Sequence, residues 1–576
     1  MKIKKTALIL LLIFFLALAL RIFAAIQVDV STDEMIYSLI PLNIISAGRL
    51  GTVEQSPLYF YLSDVGYNIM GGLSPIAARL PSIIFGSLAV FVVYLISMEL
   101  FKNEKAGLIS AFLFALSGYA LKFNIEMDMT AFFFALLSCW FFLKALKEEK
   151  DHYYYLSALS FALAVMIKNI VALFVPAYLL AYYLYKKEKA LGKESLKMIG
   201  ISLLIFLAVL LPIFAYNYLF FTETGKSDYY FSNILGYGET VHAGLQGKSW
   251  GLSRLLGVTK EIFGRMLYWD TVLLLCGGLG MALALRNNPV NDNESSQGRE
   301  SKLGMVLFGV SLFFLIGYIG GQTGSSSHFL WAPVVFSIFA GYGAWFLHEK
   351  AKKFDFKFGL HLLIVAVVII NLLFLRGVVE TNKSASAIPL WNFVHENIPS
   401  DAVVIMDPRI YSGNSAWILN DRHYLEGTHL PELINLIEKM PQKKITMPLY
   451  YIECAPGSRC GWKEEDFLRI NNTGQQISNH LVPNLKQVAE LKAAHHFIVY
   501  AGTIDAPLAI YEAIDSTHVF WFYPVGWKGE QFIDDYNAKG WGVLFNLIGY
   551  LILYLDLLLA LASIPSVFYL ILRNKN

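Results

Sequence analysis

Charge is scarce in this chain. Asp, Glu, Lys and Arg make up 16% of 576 residues, against 56% hydrophobic and 15% aromatic residues. No single soluble core buries that balance without leaving much of the surface apolar, so a soluble globular protein is excluded and a bilayer is the fitting solvent. A bias of sign is also lacking. The formal net charge of +2 gives no global basic field, so no nucleic acid partner is expected and any partner is recognised locally. Cysteine is nearly absent, with four residues: Cys139 and Cys276 lie in apolar runs, Cys454 and Cys460 in the polar segment CAPGSRC. No further Cys or His stands close to complete a metal site around that second pair. A disulfide is therefore the expected state, provided the segment faces an oxidising compartment. The chain shows neither an internal repeat nor an extended low-complexity tract.

Apolar runs are what it has in abundance. Crossing a hydrocarbon core takes about 20 residues, and roughly twelve runs of about that size lie at 6–26, 80–101, 106–122, 127–147, 153–168, 170–186, 197–220, 267–285, 303–321, 328–348, 358–378 and 542–571. Lys and Arg fall in every second connection: Lys2, Lys4 and Lys5; Lys102 and Lys105; Lys144, Lys147 and Lys150; Lys186 to Lys193; Arg286 to Lys302; Lys350 to Lys357; Arg573 and Lys575. The positive-inside rule then makes both termini cytoplasmic and predicts a multi-pass protein of the plasma membrane and cell envelope. The first run has a basic leader and an apolar centre but no clear small-x-small cleavage site, which favours a retained anchor.

On this reading residues 1–378 form a transmembrane domain, 379–541 an extracytoplasmic soluble domain, and 542–576 a last span with a cytoplasmic tail. Residues 27–78 are a first outer loop of short amphipathic helices. In the soluble domain, runs at 402–406, 445–452, 497–500 and 519–523 read as strands. Helical pieces near 389–397, 430–439 and 478–494 alternate with them, the pattern of a small α/β or α+β domain.

Once the topology is laid out, the outer ends of the spans collect ionisable groups: Asp33, Glu34, Glu54, Arg79, Lys122, Glu126, Asp128, Lys168 and His328. Each has an ordinary explanation. Asp33-Glu34 suit the first turn of a helix capped by Ser31 or Thr32; Glu54 suits an exposed loop, and Arg79 an interfacial anchor. Glu126 and Asp128 suit a helix start, and His328 an interface. Lys168 differs, because MIKNI sets it between two apolar spans with little loop around it, which points the charge inward.

Order and context favour chemistry. Asp33-Glu34 after the first helix, Glu54 in EQSP, ARLPS at 78–82, Asp128 in EMDM, Lys168 in IKN and SSSHFLWAP at 325–333 resemble the lipid-linked-sugar glycosyltransferases of the GT-C fold. Within that superfamily the protein O-mannosyltransferases and the aminoarabinose transferases of lipid A are the nearest in pattern. The resemblance covers roughly residues 1–350. It departs at Gln55-Ser56, where the aminoarabinose enzymes carry Lys-Pro, and at Asn169, where Gly is usual. The first departure removes a cationic phosphate ligand. The later domain has no MIR-type repeat.

The resemblance implies an inverting transferase that moves a hexosyl or pentosyl group from a polyprenyl-phosphate donor to an extracytoplasmic protein hydroxyl, lipid or glycan, with membrane lipid around it. Asp33 is expected as general base, with Glu34 in support. Arg79, Lys168 and His328 are expected on the donor phosphate, and Glu54, Asp128 and Glu126 on sugar or acceptor. A divalent cation, Mg²⁺ or Mn²⁺, is left open, with Asp33, Glu54 and Asp128 as oxygen ligands. A transporter or flippase of lipid-linked sugars is the alternative. Inverted repeats and midplane charges would mark it, whereas here the charges gather at helix ends.

Overall fold

The computed structural model describes residues 5–30, 32–46, 50–51, 55–123, 127–228, 231, 239–240, 252–286, 295–321, 326–352, 365–366, 369–370, 373, 387–410, 417–420, 422–427, 438, 444–460, 464–492, 495–507 and 538–573. Among these, seven helices are long and apolar enough to cross a membrane, and two further helix pairs qualify as bent spans. The chain is a polytopic helical membrane protein with a small sheet domain in its C-terminal part.

The helices run in chain order as α1 (Lys5–Gln27), α2 (Thr32–Ser46), α3 (Leu58–Met70), α4 (Pro75–Phe101), α5 (Glu104–Ala115), α6 (Gly118–Phe123), α7 (Met127–Glu148), α8 (Asp151–Ile167) and α9 (Val175–Lys186). They continue as α10 (Lys193–Val209), α11 (Leu211–Thr224), α12 (Leu252–Trp269), α13 (Thr271–Arg286), α14 (Ser295–Gly321) and α15 (Trp331–Lys352). The span expected at 106–122 is the two shorter helices α5 and α6, parted at Leu116-Ser117. The span expected at 358–378 lies almost wholly outside the described residues. Two spans are bent: α10 and α11 meet at 54°, α12 and α13 at 118°.

Local sequence sets these boundaries. Ser74 caps α4 by accepting the Ala77 amide at 3.2 Å, with Pro75 in the first turn, where its missing N–H costs nothing. Gly71, at φ 80°, ends α3 in the left-handed region that a glycine enters without strain. Small residues bring α13 and α15 into backbone contact: a Cβ on Gly280 would overlap the Phe339 carbonyl, and one on Gly343 would overlap the Cys276 carbonyl. Aromatic packing joins more distant helices, since Phe14 of α1 lies 5.1 Å both from Phe91 of α4 and from Phe568 of the last helix.

Beyond the bundle, α16 (Ala387–Asn397) leads into strands β1 (Val403–Met406), β2 (His423–Glu426) and β3 (Lys444–Cys454). Then come α17 (Glu464–Leu481), β4 (Lys486–Lys492), β5 (His496–Pro507) and the last span α18 (Trp541–Arg573). The sheet order is β2-β1-β3-β5-β4, parallel over the first three strands and antiparallel after β3. Strands expected at 402–406, 445–452 and 497–500 are present. The helix expected at 478–494 is a correction: α17 ends at Leu481, a 3₁₀ turn carries Pro483, and β4 follows as an edge strand. Its helix-favouring Lys, Gln, Ala and Glu residues are overridden by pairing with β5, and the charges of Lys486, Glu490 and Lys492 suit an exposed edge. The expected pieces at 430–439 and 519–523 lie outside the described residues, save Lys439's neighbour Glu438.

Cys454 and Cys460 form a disulfide with Cα atoms 6.0 Å apart. Beside it Asp407, at the end of β1, accepts Arg409 Nη2 at 2.6 Å and the Cys454 amide at 3.1 Å. Arg409 also reaches Glu453 of β3 and Ser478 of α17, so one guanidinium pins sheet and helix together.

Candidate active site

Helix α8 stops at Ile167 because Lys168 takes an extended conformation (φ −149°, ψ 115°), after which residues Asn169–Phe174 resume as a 3₁₀ helix. The break turns Lys168 into the bundle. Its Nζ donates to Asp128 Oδ2 at 2.6 Å, with side-chain exposures of 3% and 0%. Asp128 stands in the first turn of α7, yet its carboxylate looks across to Lys168 instead of capping its own helix. His328, in the 3₁₀ turn Ser326–Leu330 before α15, gives Nδ1–H to Asp128 Oδ1 at 3.1 Å. A carboxylate can only accept there, so the tautomer or the imidazolium carries its proton on Nδ1. One buried acid thus holds two basic groups from two other segments. This is the arrangement that makes a buried charge tolerable and the two bases immobile.

A second junction lies at the start of α4. Arg79 is fully buried, and all five of its N–H donors meet protein acceptors. Nε bonds Glu34 Oε1, and Nη2 bonds Glu34 Oε2 at 2.9 Å. Nη1 bonds the carbonyls of Ala25 and of Val28 (the latter at 2.7 Å), and Nη2 also bonds that of Asp29 at 3.1 Å. These carbonyls end α1 and would otherwise lack helical donors. The expectation that Arg79 holds a donor phosphate is therefore corrected. Its guanidinium closes one helix and fixes the first turn of another, with no donor left over. Glu34, 5% exposed and bound bidentately, is likewise a holder of that turn.

Hydrogen bonds join the two junctions. Tyr37 of α2 accepts Gln55 Nε2 at 3.2 Å, and the neighbouring Ser56 donates to the Val165 carbonyl at 2.9 Å and bonds Asn169. Ser56 and Asn169, two positions that depart from the family pattern, thus face each other across the Lys168 turn. Ser82, one turn after Arg79, lies 3.2 Å from Thr130, two residues after Asp128.

Sequence reasoning therefore brought together two true groupings, Asp128–Lys168–His328 and Glu34–Arg79, but not one shared cluster. Asp33 lies in α2, and its side chain falls outside those described; Glu54 and Glu126 lie outside the described residues. Among the described residues no three His, Cys, Asp or Glu side chains gather to hold a metal ion. Both Asp128 oxygens are taken by basic partners, so this residue does not fit the metal ligand set.

Two groups went unread in the sequence. Arg265 of the amphipathic helix α12 sits 5.7 Å over the ring of Phe329, the neighbour of His328, and Lys122 sits 4.8 Å over Trp269 at the end of the same helix. Asp270, at the α12–α13 bend, accepts Ser117 Oγ at 2.7 Å and the amides of Gly118 and Tyr119 at 2.8 and 3.2 Å, which anchors α6. The signal for both was the polar edge of α12, whose basic residues the span list passed over.

Residues 54–216 match the family model described as dolichyl-phosphate-mannose-protein mannosyltransferase. No curated protein sequence matches the chain. Among solved structures, ArnT from Cupriavidus metallidurans bound to undecaprenyl phosphate is similar at a TM-score of 0.54 and 13% identity, over 85% of this chain and 97% of that one. The apo state of the same protein gives 0.53 and 13% over the same shares. At such identity the likeness speaks for the fold.

Proposed function

We propose, for a chain that has the GT-C fold of the lipid-linked-sugar glycosyltransferases, that it transfers a sugar from a polyprenyl-phosphate donor to an acceptor on the extracytoplasmic face. The observation that carries this reading is the Asp128–Lys168–His328 cluster, two basic groups immobilised by one buried acid at the helix ends. The similar ArnT structure holds undecaprenyl phosphate, and a lipid phosphate of that kind is the leaving group we assign here.

The chemistry follows from these positions. Asp33 takes the proton of the acceptor hydroxyl, the acceptor oxygen attacks the anomeric carbon, and the bond to the donor phosphate breaks with its electron pair on the phosphate oxygen. Direct displacement inverts the anomeric centre. His328, 19% exposed against the buried Asp128, presents its ring towards the departing phosphate, and Lys168 adds charge behind it. Fixed cations in a site of low dielectric stabilise charge as it develops, at no cost of reorganisation. Arg265 and Lys122 line the approach and supply further positive charge. Asp128 acts through its two partners, and Glu34 with Arg79 holds the turn that bears Asp33. Cys454–Cys460 supports an oxidising location for the sheet domain, and with it cytoplasmic termini.

The test is reconstitution of the full chain in lipid vesicles with a panel of polyprenyl-phosphate hexoses and pentoses, using membrane extract from cells lacking the protein as acceptor source. Release of polyprenyl phosphate with an inverted product anomer is expected. Movement of intact donor across the bilayer without bond cleavage would establish the flippase alternative instead.

A further inference from the structure

Asp29 joins the sheet-domain side of the molecule to the turn that bears Asp33-Glu34. It follows α1 directly, and its carboxylate accepts the backbone amides of Ile388 at 3.1 Å and Ala387 at 3.4 Å. Those amides open α16, and the first amides of any helix have no partner within it. A carboxylate at that end satisfies two of them and also meets the positive end of the helix dipole. The cap is supplied from more than 350 residues away in sequence, so it forms only when α16 is seated on the bundle.

The same residue has a second attachment. Its carbonyl accepts Arg79 Nη2 at 3.1 Å, and that nitrogen also donates to Glu34 Oε2 at 2.9 Å. Leaving aside the carboxylate, then, the Asp29 backbone shares a donor with Glu34. From α16 to α2 the path is Ile388 amide, Asp29, Arg79, Glu34, with every link a hydrogen bond to a buried or half-buried group. Because Arg79 has spent all five donors, a shift of Asp29 cannot be absorbed by a spare one. The guanidinium must move or lose a bond, and Glu34 moves with it.

We propose that Asp29 is a positioning residue, which couples seating of α16 on the membrane bundle to the placement of the Asp33-Glu34 turn. The inference rests on the transferase reading only for its effect on turnover; the coupling itself is a property of the fold. It assigns the segment entering the sheet domain a role in catalysis without requiring that segment to touch donor or acceptor.

The experiment compares wild type with Asp29→Ala, Asp29→Asn and Asp29→Glu, as purified full chains in lipid nanodiscs, by hydrogen exchange and by transfer kinetics. In Asp29→Ala, faster exchange is expected in both 387–397 and 32–46. Turnover should fall about tenfold, as for a misplaced catalytic group, with donor KM within about twofold, since donor binding is untouched. Asp29→Glu should recover part of both effects, and Asp29→Asn, which folds even if the alanine variant does not, should lie between. Faster exchange confined to 387–397 would overturn the proposal, since that is what a plain helix cap gives. Unchanged turnover in a variant whose 32–46 segment exchanges faster would also overturn it. Should wild type transfer no sugar, the transferase reading fails, while exchange in 32–46 still decides the coupling.

Discussion

Lys168 Nζ lies 2.6 Å from Asp128 Oδ2, and neither side chain exposes more than 3% of its surface. A pair so deep stabilises the fold only while both members are present, because each alone is a charge without a counter-charge in an apolar surround.

Removing one member should therefore cost more than removing both. Asp128→Ala leaves two basic groups facing each other and should destabilise by about 3–5 kcal/mol. Asp128→Leu combined with Lys168→Met should recover much of that loss. Thermal unfolding in detergent reads the difference, and equal losses in single and double variants would contradict it.

His328→Gln removes the one member of the cluster that is substantially exposed. An amide still bonds Asp128 but carries no positive charge. Folding should be near wild type, while turnover should drop by about 10²-fold, the scale seen when one group facing developing charge is lost. Unchanged turnover would remove His328 from the phosphate site.

Arg79→Lys keeps the charge and loses the fork. One ammonium has three donors for five acceptor contacts, and it cannot grip Glu34 bidentately. A loss of about 2–4 kcal/mol is expected from buried acceptors left unmet, with turnover in the surviving folded fraction also reduced. A lysine variant as stable as wild type would show that the junction is not a tie.

Closing the short loop between Cys454 and Cys460 is worth about 2 kcal/mol by chain entropy. Thiol labelling of native protein from an oxidising compartment should modify neither residue, because Cys139 and Cys276 are buried. Labelling after reduction should add two groups in the sheet domain. Labelling of this pair before reduction would contradict both the bond and the extracytoplasmic placement it supports.

Much of this was legible in sequence, and the exceptions have physical reasons. Lys168 announced itself because a lysine between two apolar spans has few places to go, and the fold turned it inward as expected. Asp128 was read as one group among many, since spacing along the chain does not reveal that α7, the Lys168 turn and the turn before α15 converge. Arg79 was misread because its acceptors are mostly backbone carbonyls at the end of α1, which no side-chain motif records. Asp29 left no signal at all: its partners are two amides of α16. Strand β4 was taken for helix because an edge strand in part exposed carries the same Lys, Gln and Glu residues as a helix surface. The twelve spans overcounted continuous helices where Leu116-Ser117 and the α12–α13 bend interrupt apolar runs.

The central claim is that Asp33 is the base of a sugar transfer from polyprenyl phosphate, and the most direct test is the turnover of Asp33→Asn in vesicles with radiolabelled polyprenyl-phosphate sugar. The carboxamide keeps size and polarity but takes up no proton. The account predicts a folded variant, with wild-type unfolding temperature, whose transfer is slower by about 10²–10⁴-fold. Full turnover by that folded variant would contradict it.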